Sequence, residues 1–139
     1  RAQRFAESTA NTSWASVGDV LARGVRDGSS LGDMAAGISA LDDQWQGSRA
    51  EMIAWTETHS ASQEVATEAA RESGVVGGRV WLSALDERVR DAHAEAHGQT
   101  VGLDEPFVVD GEECDYPGEC PSPENSINCR CVQLLELLD

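Results

Sequence analysis

The chain has no lysine. Its ten basic side chains are all arginine, set against 25 carboxylates for a formal net charge of −15. A surface so short of cations repels phosphate backbones, because nucleic-acid affinity rests largely on Lys and Arg neutralising phosphates. Direct nucleic-acid binding by this chain is therefore not expected. The imbalance deepens toward the C-terminus, where Gln99 to Asp139 holds ten carboxylates against the single Arg130. Long apolar runs are missing too. Nothing approaches the roughly eighteen consecutive apolar residues that read as a membrane-spanning helix. Residues 1–11 are too polar for the apolar part of a secretory leader, so no membrane partner is expected. Aromatic residues are few, with two Phe, one Tyr and four Trp. A core must then come mainly from aliphatic and alanine side chains, and a chain of this length encloses one modest core. No glycine-rich phosphate loop or dinucleotide fingerprint is present, so no nucleotide cofactor is implied. The chain opens on Arg1 rather than Met, close to a segment that already reads as a helix, which suggests a piece of a longer protein.

The residues that are present divide the chain into two textures. Phe5, Ala6, Thr9, Ser13, Trp14, Val17, Val20 and Leu21 fall roughly on one helical stripe that ends near Gly28. Ser30 is placed to cap a second helix with Leu31, Met34, Ile38, Leu41 and Trp45 at three- and four-residue spacing. A third helix is expected from about Arg49 to Glu72, burying Ile53, Met52 or Trp55, Val65 and Ala69. It should stop at Ser73-Gly74, before a turn at Gly77-Gly78. Beyond that point Val80-Trp81-Leu82 and Phe107-Val108-Val109 read as short strands, the second followed by an Asp110-Gly111 turn. Asp86 to His97 reads as a helix closed by Gly98. Residues 112–127, rich in Pro, Gly, Asp and Glu, read as an irregular loop, and Asn128 to Leu138 as a last strand. The expected class is α+β: a helical hairpin or bundle over 1–73, then over 74–139 a small antiparallel sheet with one helix and a Cys-rich C-terminal loop.

A series of elements from Arg49 onward is more distinctive than any of these patterns alone. It runs from the helical segment Arg49-Ala50-Glu51-Met52-Ile53-Ala54-Trp55-Thr56-Glu57-Thr58 through Gly74-Val75-Val76 to Trp81-Leu82. Asp86-Glu87-Arg88-Val89-Arg90 follows, with His93 and Gly98, then Pro106-Phe107, Tyr116-Pro117-Gly118 and finally Asn128-Cys129-Arg130-Cys131. In order and spacing this resembles the head-morphogenesis domain of tailed bacteriophages, the Mu F-like minor head proteins. Trp55 and His59-Ser60-Ala61 depart from that pattern. The resemblance implies a non-enzymatic assembly module with portal and capsid proteins as partners. It would be located in the virion, in the head interior near the portal, and assembled in the bacterial host cytoplasm. It also implies motif roles for Trp81, Asp86, Arg88, Arg90, His93, Gly98, Phe107, Pro117, Asn128 and Arg130. Relatives fused to toxin domains suggest an alternative, a packaging or delivery portion of a larger effector.

Chemistry concentrates near the C-terminus. Cys114, Cys120, Cys129 and Cys131 are the only cysteines. Zinc takes tetrahedral thiolate and imidazole ligands, so the four sulfurs form a candidate zinc site, with His93 as a substitute ligand. The spacing lacks the paired knuckles of common zinc motifs. A Cys114–Cys120 disulfide and free structural thiols remain open alternatives. His93 and His97, four apart on the expected helix, flank Glu95 in an order that differs from the metalloprotease motif. His97 also suits the negative end of a helix. An enzymatic alternative, nuclease- or transferase-like, would use His93, Arg88 and Arg90 as acid–base and electrostatic groups. The structural alternative has Asp86, Arg88 and Arg90 making ion pairs that lock the turn into the helix. Trp81 is the best core candidate among the tryptophans, and Trp14 and Trp55 are candidates for an interface.

Overall fold

A computed structural model describes residues 14–41 and 48–139. The helical stripe from Phe5 to Ser13, and the place of Trp45 in the second helix, lie outside the described residues. Packing divides the chain into two compact units, residues 1–58 and 59–139.

In the first unit, α1 (Trp14–Asp27) and α2 (Leu31–Ser39) are joined by three residues. The junction is chemically specified. Gly28, at φ 67°, donates its N–H to the Val25 carbonyl, and Ser29 donates to Gly24. Together these close the end of α1 with a left-handed glycine. Ser30 then opens α2: its hydroxyl accepts from the Asp33 N–H while the Asp33 carboxylate accepts from the Ser30 N–H. Val17, Met34, Ala35 and Ile38 are buried, along with Ala50, Ile53 and Ala54 from the start of α3 (Ser48–Ser73). Gly24 and Gly37 let α1 and α2 approach each other. A Cβ on Gly24 would fall 2.4 Å from Met34 Cγ, and one on Gly37 would fall 2.8 Å from Val20 Cγ1.

The second unit is built on a three-stranded antiparallel sheet in the order β2 (Thr100–Gly102), β1 (Val76–Leu82), β5 (Val132–Leu137). A second ribbon pairs β3 (Phe107–Val109) with β4 (Glu112–Cys114) across Asp110 and Gly111, both at positive φ. Two successive left-handed residues match the twist of a two-residue hairpin. The helix α4 (Asp91–Ala96) lies against β3, and α5 (Pro123–Ser126) is a single turn. The α+β class expected from the sequence is therefore the class observed, with helices followed by small antiparallel sheets.

Several local expectations are corrected. Gly77-Gly78 is not a turn but part of β1, where it carries a register shift between Val76 and Gly78. Glycine suits the site because a Cβ at Gly77 would meet Leu138, and one at Gly78 would crowd the Val101 carbonyl. The helix expected from Asp86 begins only at Asp91, because the Asp86 carboxylate accepts the Arg88 N–H and holds a turn instead. Residues 112–127 are not irregular. They contain β4 and α5, tied by Glu112, whose Oε2 accepts from Ser122 Oγ and Asn125 Nδ2 at 2.9 Å each.

On α3, Val65 is exposed and Ala69 also faces solvent, whereas Gln63, Thr67 and Ala70 are buried. The buried face is polar because it meets a strand through hydrogen bonds. Gln133 on β5 donates its Nε2 to the Gln63 carbonyl at 2.9 Å and to Thr67 Oγ1 at 2.7 Å, and its N–H to Gln63 Oε1 at 3.1 Å. Buried polar groups are tolerated when they are partnered in this way.

Arg79 on β1 is fully buried. It donates to the Asp115 carbonyl at 2.5 Å and the Glu105 carbonyl at 2.6 Å, and its guanidinium lies 4.9 Å from the Phe107 ring centre. One side chain thus ties β1 to two loops and to the hairpin.

Two stability outcomes follow from this packing. Gly118, at φ 93°, forms the third position of a Tyr116–Glu119 turn, and its Cβ would lie 3.2 Å from the Ser60 backbone. Gly118→Ala is expected to cost about 1–3 kcal/mol, whereas Gly18→Ala in the open face of α1 should stabilise by about 0.5–1 kcal/mol; urea unfolding of both variants checks the contrast. Arg79→Leu leaves two carbonyls without their donor and should cost about 3 kcal/mol or more, read as a lower urea midpoint.

Candidate functional site

The chemistry-bearing residues of the second unit converge on one apolar cluster. Trp81, Ala96, Phe107 and Val109 pack with the four cysteines, all of them buried. Trp81 stands edge-on to Phe107 at 5.3 Å and to the His93 imidazole at 5.8 Å. Aromatic edges against faces are favoured by the ring quadrupole, so Trp81 fixes the imidazole plane from one side.

The four cysteines do not form one site. Cys114 and Cys120 are joined as a disulfide, and Cys129 and Cys131 are free thiols. The expected four-sulfur site is corrected accordingly, since two of its ligands are consumed in a covalent bond. The Cys120 loop is held by Ser126, whose hydroxyl accepts from the Cys120 N–H at 2.8 Å and donates to its carbonyl at 2.7 Å.

His93 comes together with the other pair. Its Nδ1 lies 3.4 Å from Cys131 Sγ and 3.9 Å from Cys129 Sγ, and the three atoms are within 4.8 Å of one another. All three residues are buried, while Arg130 between the cysteines reaches the surface. This alternation puts residues 129 and 131 on one side of the chain, as period-two geometry requires. Asn128 makes the turn into the segment at φ 57°, a conformation asparagine tolerates better than most residues. Hydrogen bonding from the Cys131 thiol draws the Cys129 pKa well down, helped by His59 and His93. The same contact with Cys129, and burial, push Cys131 up. His59 thus joins the site from α3. Sequence reasoning saw it only as a departure from a pattern, and no local spacing links residue 59 to residue 129.

The remaining motif residues surround this centre without entering it. Asp86 and Arg130 form a two-pronged ion pair at 2.6 and 2.7 Å. The expected pairing of Asp86 with Arg88 and Arg90 is therefore corrected to Arg130, across 44 positions of sequence. Arg88 is exposed, and Arg90 Nη2 donates to the Ile127 carbonyl. His97 does not join His93; its Nδ1 accepts the Ser83 N–H at 3.0 Å. Gly98 sits at φ 82° beyond the α4 cap and donates to the Trp81 carbonyl at 2.7 Å. Pro117 is buried in the Tyr116–Glu119 turn. His93, Arg88 and Arg90 do share a cavity, with Asn128, Arg130 and Cys131, but its volume is only about 10 Å³. That is room for roughly one water. A larger hollow of about 420 Å³ lies between α1 and α2, lined by residues such as Arg23, Asp27, Asp33 and Met34. No helix among the described residues is long and apolar enough to cross a membrane.

The comparisons with known proteins align with these elements. A family model described as Phage Mu protein F like protein matches residues 15–134. The chain is 29% identical over 119 residues to NAD(+)--arginine ADP-ribosyltransferase EFV of Enterococcus faecalis, covering 84% of this chain and 24% of that protein. It is 34% identical over 102 residues to an uncharacterized protein of Haemophilus influenzae, covering 73% of this chain and 20% of that one. The chain thus spans a quarter or less of the length of these curated relatives. No solved structure matches it.

The Asp86–Arg130 pair makes a pH prediction. Hydrogen bonding from Arg130 lowers the Asp86 pKa to about 2. Its stabilisation is therefore complete above the ordinary carboxylate value near about 4 and is lost as pH falls through about 2. Asp86→Asn should unfold earlier than the unaltered chain at pH 6, with the gap closing by pH 2 and narrowing in high salt.

Proposed function

Because the chain belongs to the Phage Mu protein F like family, a phage head-related group, we propose that it is an assembly module that meets the portal and capsid proteins during head morphogenesis. It would reside in the head near the portal after assembly in the host cytoplasm. The family match over residues 15–134, which takes in both compact units, carries this reading. Its surface chemistry is in keeping with a protein partner. The net charge of −15 opposes DNA contact. Val132, Leu134 and Leu137 are exposed along β5, an edge strand that pairs only with β1 among the described residues. Exposed apolar side chains on an edge strand favour protein contact.

The enzymatic alternative has less support. The imidazole of His93 is turned to two sulfurs, Arg90 is spent on a carbonyl, and the cavity they share holds about one water. So small a space supports a structural role for this centre over a catalytic one. The relative named as an ADP-ribosyltransferase favours a different second reading: this domain serves as the delivery or packaging portion of a longer effector, since the match covers only 24% of that protein.

The test is co-expression of the chain with the portal protein of a phage that carries it. Co-elution in size-exclusion chromatography, weakened at least tenfold by Leu134→Asp with Leu137→Asp, is the expected result. Separate elution, together with full infectious heads in a phage lacking the gene, would rule out the assembly role. An immunity gene in place of terminase and portal neighbours would favour the effector reading.

A further inference from the structure

We propose that His93, Cys129 and Cys131 are the ligands of a thiophilic divalent metal, zinc by preference, with no contribution from Cys114 or Cys120. The spacing is the first argument. A tetrahedral zinc, with bonds of about 2.3 Å to sulfur and about 2.0 Å to nitrogen, holds a sulfur and a nitrogen ligand about 3.6 Å apart. His93 Nδ1 stands 3.4 and 3.9 Å from the two sulfurs, on either side of that value. Both nitrogen–sulfur distances thus match the tetrahedral spacing to within a few tenths of an ångström, and all three atoms lie within 4.8 Å of one another.

The second argument is hydrogen-bond capacity. One Nδ1 faces two thiols, and it can serve only one of them as a directional donor or acceptor. His93 is 2% exposed. Trp81, Phe107 and Ala96 pack with the two cysteines in one apolar cluster. Polar groups buried among aromatic and aliphatic atoms cost free energy unless partnered. A metal answers all three donors at once.

Charge is the third argument. A divalent cation held by two thiolates and a neutral imidazole has no net charge, which suits an apolar enclosure. Binding replaces the two thiol protons, and both pass to solvent, so uptake is accompanied by proton release. His59, hydrogen-bonded to the Cys129 sulfur, is outside the ligand triangle and serves as a positioning residue.

This explains the Asn-Cys-Arg-Cys segment in physical terms. Asn128 turns the chain, the two cysteines face inward, and Arg130 anchors the strip to Asp86 on the surface. A two-residue spacing serves because the third ligand arrives from α4 rather than from a second cysteine knuckle.

The experiment uses the whole chain, stripped with chelator under mild conditions and titrated with Co²⁺. One equivalent is expected, with thiolate-to-cobalt charge-transfer absorption and the intense visible bands of a four-coordinate ion. Zn²⁺ should displace it. Cys129→Ser, Cys131→Ser and His93→Ala should each weaken binding at least a hundredfold, while Cys114→Ser with Cys120→Ser should still take up one equivalent. Should the first variants fail to fold, alkylation of the unaltered chain decides the matter. Bound Zn²⁺ should slow modification of Cys129 and Cys131 at least tenfold, located by peptide mass spectrometry. Equal alkylation with and without Zn²⁺, or cobalt uptake that vanishes with Cys114 and Cys120, overturns the proposal.

Discussion

The second unit depends on a single buried cation. Arg79 sits on the central strand of the sheet, and its guanidinium reaches the Glu105 and Asp115 carbonyls while covering Phe107. A buried charge is costly unless its donors are used, and here burial itself lowers the Arg79 pKa against the pull of Asp115. Its planar, forked donors can bridge two loops at once, which an ammonium cannot do as well. Asp115 is also paired with Arg71 from α3 at 3.2 Å, so helix, strand and loop share one electrostatic junction. The disulfide at Cys114, one residue before Asp115, fixes the same loop covalently. With the sheet and hairpin held in this way, Trp81 and Phe107 are set at the angles that orient His93.

The same design separates two chemistries that the composition mixes. Carboxylates dominate the C-terminal region, and those that take structural roles accept hydrogen bonds away from the apolar cluster, as Glu112 does from Ser122 and Asn125. The apolar cluster of the unit gathers sulfur and aromatic rings, with the His93 imidazole against them. An acidic exterior around an apolar, sulfur-lined interior suits a module that meets proteins rather than nucleic acid, and it keeps soft ligands away from hard carboxylate oxygens.

Much of the fold was legible because it rests on local signals. Ser30, Asp110-Gly111, and the run Val80-Trp81-Leu82 announced a cap, a turn and a short strand from neighbouring residues alone. The misreadings came from tertiary partners. Gly77-Gly78 carries a turn's composition, but Leu138 and the Val101 carbonyl crowd it into a strand. Val65 looks like a core residue by type, but α3 turns Gln63 and Thr67 inward because Gln133 offers them hydrogen bonds from 66 to 70 positions away. At the site, the four cysteines and His93 could be singled out from the sequence, but not how they pair. Nothing in the spacing of four cysteines tells which two will bond, and His59 reaches Cys129 only through the folding of α3 against the C-terminal segment.

The sheet order has a consequence for how the protein is made. The central strand β1 pairs with β5 from Val76 against Leu137, positions separated by 61 residues, and with β2 on its other side. On the ribosome β1 therefore emerges long before the strand that completes it, exposing Val80 and Trp81 while the rest is synthesised. Closing a loop of that length before any pairing is rewarded makes folding slow and leaves an interval open to aggregation. The glycines at the start of β1 and the carboxylates spread along the intervening chain work against association during that wait. Strand β5 is thus the last stitch, and the nascent chain must stay soluble until it arrives.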